Sequence, residues 1–247
     1  MAKMTRKQRE LFDREQLILD TAKEILQKEG LANLTMDRVA AEIGYSKGTV
    51  YSHFKNKEEI ISGISCRCMI NLTELFTRAK NYHGSSRERI SAIGIAHSLY
   101  ALLNPAEVEN LQIIKSQAVR EKISAEKHNE ILKLEQQVTG VVIEIVMDAL
   151  KAGDIPADEN FIPDGIVFGL WTMGYGTNLL HLSGIDFNKL GMQQPLDMMW
   201  VNSNKLLDSY NWQPLSHEFD TNKMREKLLN ELFHKESQQL GEGSSCC

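Results

Sequence analysis

Between residues 35 and 57 the chain places hydroxyls at Thr35, Ser46 and Thr49, a phenol at Tyr51, an imidazole at His53 and ammonium groups at Lys47, Lys55 and Lys57. These groups donate and accept hydrogen bonds and carry positive charge, so the chemistry they offer is recognition of phosphates and base edges. Bond-making chemistry has no comparable constellation. The seven histidines are scattered, without His-Glu-x-x-His or other metal-ligand spacing. No Gly-x-Ser-x-Gly elbow or Walker loop occurs, and Gly174-Tyr175-Gly176 lacks the third glycine of a dinucleotide turn. The sequence predicts a protein that is not an enzyme and needs no metal and no cofactor.

The elements that must hold these groups are short. Leu11, Gln16, Ile18, Leu19, Ala22, Ile25 and Leu26 form a mostly apolar stripe, which predicts a helix over 6–29 that Gly30 stops. Thr35 is a suitable N-cap for a second helix, with Asp37 in its first turn and Val39, Ala40 and Ile43 facing inward. Gly44 supplies a turn, Ser46 caps a third helix, and Val50 and Phe54 anchor that helix to the core. A helix, a glycine turn and a second helix in this order build a helix-turn-helix, whose second helix enters a DNA major groove.

The remainder also reads as helical. A fourth helix follows Lys57 to about residue 80, Ser85 with Glu88 forms a capping box, and Asn104-Pro105 ends one helix and starts the next. Ile131, Leu134, Val138, Val141, Val142, Ile145 and Leu150 recur on one face of a long helix over 124–152. Further helices are expected at 163–182, 195–210 and 221–234, and no period-2 alternation persists anywhere. The fold class is all-α, with nine or ten helices.

The net charge of −5 conceals an asymmetry: residues 1–60 carry +1 and the rest −6. Lys3, Arg6, Lys7, Arg9 and Arg14 crowd the N-terminus, and positive charge is needed only where phosphates lie. No apolar run is long enough for a membrane span, and the charged first fifteen residues lack the apolar core of a signal peptide. A cytoplasmic location is expected. The cysteines, paired as Cys66/Cys68 and Cys246/Cys247, form no disulfide framework.

The stretch Gly44-Tyr45-Ser46-Lys47-Gly48-Thr49-Val50-Tyr51-Ser52-His53-Phe54, followed by Lys57-Glu58-Glu59, resembles the DNA-binding region of the TetR/AcrR family of bacterial transcriptional regulators. Thr35, Val39-Ala40 and Gly44 also stand where that pattern expects them. The match covers about a fifth of the chain. Two residues depart from the pattern: Ile43 replaces the common alanine before the turn, and Tyr45 replaces a small aliphatic residue. The chain is also longer than many members, through 211–247. The resemblance implies that Lys47 and Gly48 open the recognition helix, that Thr49 touches a base edge, and that Tyr51, His53 and Lys57 contact phosphates. Thr35 and Ser46 would serve both as caps and as phosphate donors.

The second half offers aromatic and isolated polar residues within apolar helices. His97, Tyr100, Gln117, Trp171, Tyr175, Asn178 and His181 are candidates to line a cavity for a small apolar or amphipathic ligand. Each of them also fits an ordinary core or interface role. The resemblance implies a homodimer joined through the helices at 163–182 and 195–210. The expected organisation is a helix-turn-helix DNA-binding domain at 1–55, a helical ligand-binding and dimerisation domain at 56–235, and a disordered tail at 236–247. The expected function is a dimeric repressor that a small molecule releases from a double-stranded DNA operator. An effector-independent DNA-binding protein controlled by a protein partner is the alternative.

Overall fold

The computed structural model describes residues 4–156 and 163–243. Lys3 and the Cys246/Cys247 pair lie outside the described residues. Helix α1 (Arg6–Glu29) starts at a capping box between Thr5 and Gln8 and ends at Gly30, whose φ of +79° favours a residue without Cβ. After a 3-10 turn at Leu31–Asn33, Thr35 caps α2 (Met36–Glu42) and Ser46 caps α3 (Lys47–His53), with Gly44 left-handed between them. Next come α4 (Lys57–Lys80), α5 (Ser86–Leu103, opened by the Ser85–Glu88 capping box) and α6 (Pro105–Ile113). Then follow α7 (Gln117–Arg120), α8 (Ala125–Ala152), α9 (Pro163–Leu182) and α10 (Pro195–Ser209). Helices α11 (Thr221–Leu232) and α12 (His234–Gly243) close the chain.

The fold is all-α, with no strand among the described residues. Helices α7 and α12 exceed the expected set, being too short to impose a clear apolar period. The tail expected to be disordered from 236 is helical through Gly243 in its described part. No described helix is long and apolar enough to cross a membrane.

The chain divides into two compact units, one of residues 1–68 with 106–133 and one of 69–105 with 134–247. The core of the first gathers Ile18, Leu19 and Ile25 from α1, Val39 from α2, and Val50 and Phe54 at α3. Ile60, Ile61 and Ile64 of α4 join them, and Ile114, Val119 and Ile123 come from the returning segment. Polar ties fix that segment. Lys23 donates to buried Glu107 at 2.6 Å, Asn110 donates to the Ile61 carbonyl at 2.9 Å and to Ser65 Oγ at 2.8 Å, and Lys122 pairs with Glu58 at 2.9 Å.

In the second unit α9 packs on α10 and α5. The α9–α10 approach is close because glycines stand at the contact: a Cβ on Gly169 would meet Leu206 Cδ2 at 2.8 Å, and one on Gly165 would meet the Tyr210 hydroxyl at 2.8 Å. A fully buried guanidinium, Arg87, donates to the carbonyls of Trp212 at 2.9 Å and Asn204 at 3.1 Å and to Asp208 Oδ1 at 2.8 Å. Trp212, also fully buried, donates its indole N–H to Ser86 Oγ at 2.9 Å. Residues beyond α10 are therefore built into this unit. Arg78 pairs with Glu236 at 2.6 Å and lies over the Phe233 ring, and Tyr82 donates to Glu231 at 2.5 Å.

Candidate nucleic-acid interface

Helix α3 is held from beneath and open above. Val50 and Phe54 are buried in the first unit's core, whereas Tyr51 is 50% exposed and Lys47 and Gly48 are exposed. Ser46 Oγ accepts the Thr49 N–H at 3.1 Å and shares a 2.9 Å hydrogen bond with Thr49 Oγ1, so the cap also fixes the rotamer of half-buried Thr49. Thr35 caps α2 by accepting the Arg38 N–H at 3.1 Å. A Cβ at Gly48 would meet nothing nearer than Ser46 Oγ at 3.8 Å. Packing inside the module does not require glycine there; the missing side chain lets an outside surface approach the backbone.

Charge on this face is partly spent. Lys47 is paired with Asp37, and Arg38 is bound by Glu29 at 2.7 Å and Glu42 at 3.1 Å. Lys57 is half-buried at the first position of α4. His53, expected at a phosphate, is half-buried. Its Nε2 is closed off from solvent without a partner, and burial lowers the imidazole pKa, with Glu15 opposing and Arg14 reinforcing the shift. That nitrogen is not presented to a phosphate. Its place at the buried end of α3, beside α1, is a tertiary feature that residue type does not reveal.

The residues expected around a ligand fall in both units. Tyr100 and Asn178 are buried, and His97 Nε2 lies 3.3 Å from Asn178 Nδ2. A Cβ on Gly174 would stand 3.0 Å from the His97 ring. His97 Nδ1 and Asn178 Oδ1 are both enclosed without a hydrogen-bond partner. Tyr175 and His181 are half-buried. Trp171 is 51% exposed, and Gln117 is exposed in the other unit, bonded to Glu121 at 2.7 Å. The placement of these last two corrects the expectation of an interior lining. A groove of about 250 Å³ edged by Lys80, Arg89, Glu144 and Asp148 includes none of the candidates.

The buried imidazole has a pH consequence. Burial pulls His97 from its ordinary 6.5 down to about 4. Its folded-state pKa lies below the unfolded value, so stability is whole above pH 6.5 and declines as pH falls toward 4, by up to about 3 kcal/mol. Urea midpoints measured at pH 7 and pH 5 are expected to differ for the wild type and to draw together in His97→Gln.

A capped, outward-facing second helix after a glycine turn, seated on a compact core, is the geometry of a helix-turn-helix. Residues 18–64 match the model of the bacterial regulatory proteins of the tetR family, which marks this part of the chain as a TetR/AcrR-type DNA-binding region. It is 28% identical to the uncharacterized HTH-type transcriptional regulator YhgD of Bacillus subtilis (strain 168), over 60% of this chain and 75% of that protein. A tetR-family regulatory protein from Rhodococcus RHA1 has the same fold, with a TM-score of 0.62, 19% identity and coverage of 80% of this chain and 97% of the other. A transcriptional regulator from Saccharomonospora viridis, in complex with choline, superposes with a TM-score of 0.62 at 16% identity, covering 80% of this chain and 96% of that one.

Proposed function

We propose that the protein is a homodimeric repressor that a small apolar or amphipathic molecule releases from a double-stranded DNA operator. In this reading 1–55 reads DNA, and 56–235 carries the ligand site and the partner subunit. Thr49 and Gly48 face bases, and Thr35, Ser46, Lys47, Tyr51 and Lys57 set the register on phosphates. Lys47 must exchange Asp37 for phosphate to do so. The observation that carries the dimer is the composition of α9. It is apolar nearly all round, yet Phe168 is 62% exposed and Trp171, Leu179 and Leu180 are exposed with it. A helix of this type is normally buried on all sides, and a second copy related by a two-fold axis covers such a face with the same face.

His97 and Asn178 support a ligand role because each keeps an enclosed, unsatisfied polar atom, which a bound molecule with a donor and an acceptor would satisfy. The choline complex of the Saccharomonospora viridis regulator supports a small-molecule site in a bundle of this fold. Such a ligand releases DNA only through its differential affinity for the two states of the dimer.

Sedimentation equilibrium tests the dimer. The wild type is expected at twice the chain mass, and Phe168→Glu is expected to weaken association by about 100-fold or more, because each dimer loses two buried rings of about 1.5–3 kcal/mol each. A monomeric wild type at micromolar concentration contradicts the proposal.

A further inference from the structure

One feature of the DNA-reading face belongs neither to α3 nor to the family pattern. Tyr45 occupies the turn immediately before the Ser46 cap, where the family has a small aliphatic residue, and its ring is 42% exposed. Over that ring lies the guanidinium of Arg14, from the first turns of α1, at 5.6 Å from the centroid. Arg14 makes no ion pair among the described residues, whereas Arg38 and Lys47 nearby are both held by carboxylates. The same guanidinium lies close enough to His53 to act on it electrostatically, so it runs beside α3. A guanidinium stacked on an aromatic face is oriented by it and keeps its N–H edge free, in the fork geometry that fits a phosphate.

We propose that Arg14, backed by Tyr45, is an accessory DNA contact that clamps a backbone phosphate beside the half-site read by α3. The proposal rests on the DNA-reading role of α3 and extends it to α1. Phosphate is the fitting target because stacking fixes the plane of the guanidinium without shielding its charge. The contact therefore adds affinity and register but no base preference. Tyr45 acts as a positioning residue: it holds the arginine and makes no contribution of its own once the arginine is gone.

The test uses the full-length chain and a duplex enriched from a random-sequence pool, with a scrambled duplex alongside, over a series of salt concentrations. Arg14→Gln is expected to lose about 10-fold in affinity on both duplexes and to flatten the salt slope by about 0.9 per protomer bound. Arg14→Lys is expected to keep the slope, since the charge remains, and to recover only part of the affinity. Tyr45→Val is expected to weaken binding in the wild-type background and to change nothing when added to Arg14→Gln. Melting temperatures of all variants are expected to match, because Arg14 is half-exposed and supports no core contact. If the wild type binds with a steep salt slope and Arg14→Gln matches it in affinity and slope, the clamp is overturned while DNA reading by α3 stands. If the wild type shows no salt-dependent binding to any duplex, both fall together.

Discussion

Arg87→Ala is expected to destabilise the second unit by about 3–5 kcal/mol, the range for removing one partner of a buried charged network. The side chain is fully buried, and its donors serve four acceptors from α10 and the segment after it: the Trp212 and Asn204 carbonyls, Asn204 Oδ1 and Asp208 Oδ1. Truncation takes the Arg87 donors from the Trp212 and Asn204 carbonyls and opens a cavity beside Trp212. Asp208 keeps Ser216, whose N–H donates to it at 2.9 Å, so the loss is not the whole network. Arg87→Lys is expected to recover little, since one ammonium cannot reproduce a planar fork reaching in several directions. Urea denaturation reads the effect as a lower midpoint at unchanged slope; an unchanged midpoint would show that the carbonyls find other donors.

Thr49→Ala and Tyr51→Ala are expected to impair operator binding in different ways. Tyr51 is half-exposed and outside the core, so its truncation leaves stability nearly intact and, in the proposed function, removes a phosphate contact. Affinity is expected to fall by about 10-fold on every duplex. Thr49 offers a methyl and a hydroxyl at the surface of α3, and its loss is expected to cost about 1–3 kcal/mol of discrimination at one base position. The Ser46 cap survives, because Ser46 Oγ bonds the backbone N–H of residue 49 irrespective of its side chain. In a dimer each substitution acts at both half-sites. Titration of matched and single-mismatch duplexes separates uniform weakening from lost discrimination. If Tyr51→Ala were to bind as the wild type does, α3 would not be the reading helix.

The parts legible in the sequence are those that local chemistry decides. Thr35, Ser46 and the Ser85–Glu88 pair announce helix starts because a short side-chain acceptor must satisfy the first free N–H groups. Gly30 and Gly44 mark turns because their φ values are positive. Val50 and Phe54 follow from spacing alone. What was hidden depends on partners far along the chain. Local pattern does not show that Ile114, Val119 and Ile123 complete the core of the unit that carries α3. Arg87, within a Ser-Arg-Glu-Arg run, is buried because 204–212 returns carbonyls to it. Tertiary packing, which residue type alone does not encode, decides the exposure of His53, Trp171 and Gln117. Arg14 carried a signal in the sequence only as one cation among several; its stacking on Tyr45 required the fold.

In the proposed function α3 presents a sequence-reading surface. The most direct measurement is selection of duplexes from a random pool by the full-length wild type, with Tyr51→Ala carried in parallel. Enrichment of a two-fold symmetric site is expected, its half-sites about 34–36 Å apart or a multiple of that, bound with a steep salt dependence and weakened in the variant. A pool that stays unenriched, or wild type and variant retained equally, would contradict that role of α3.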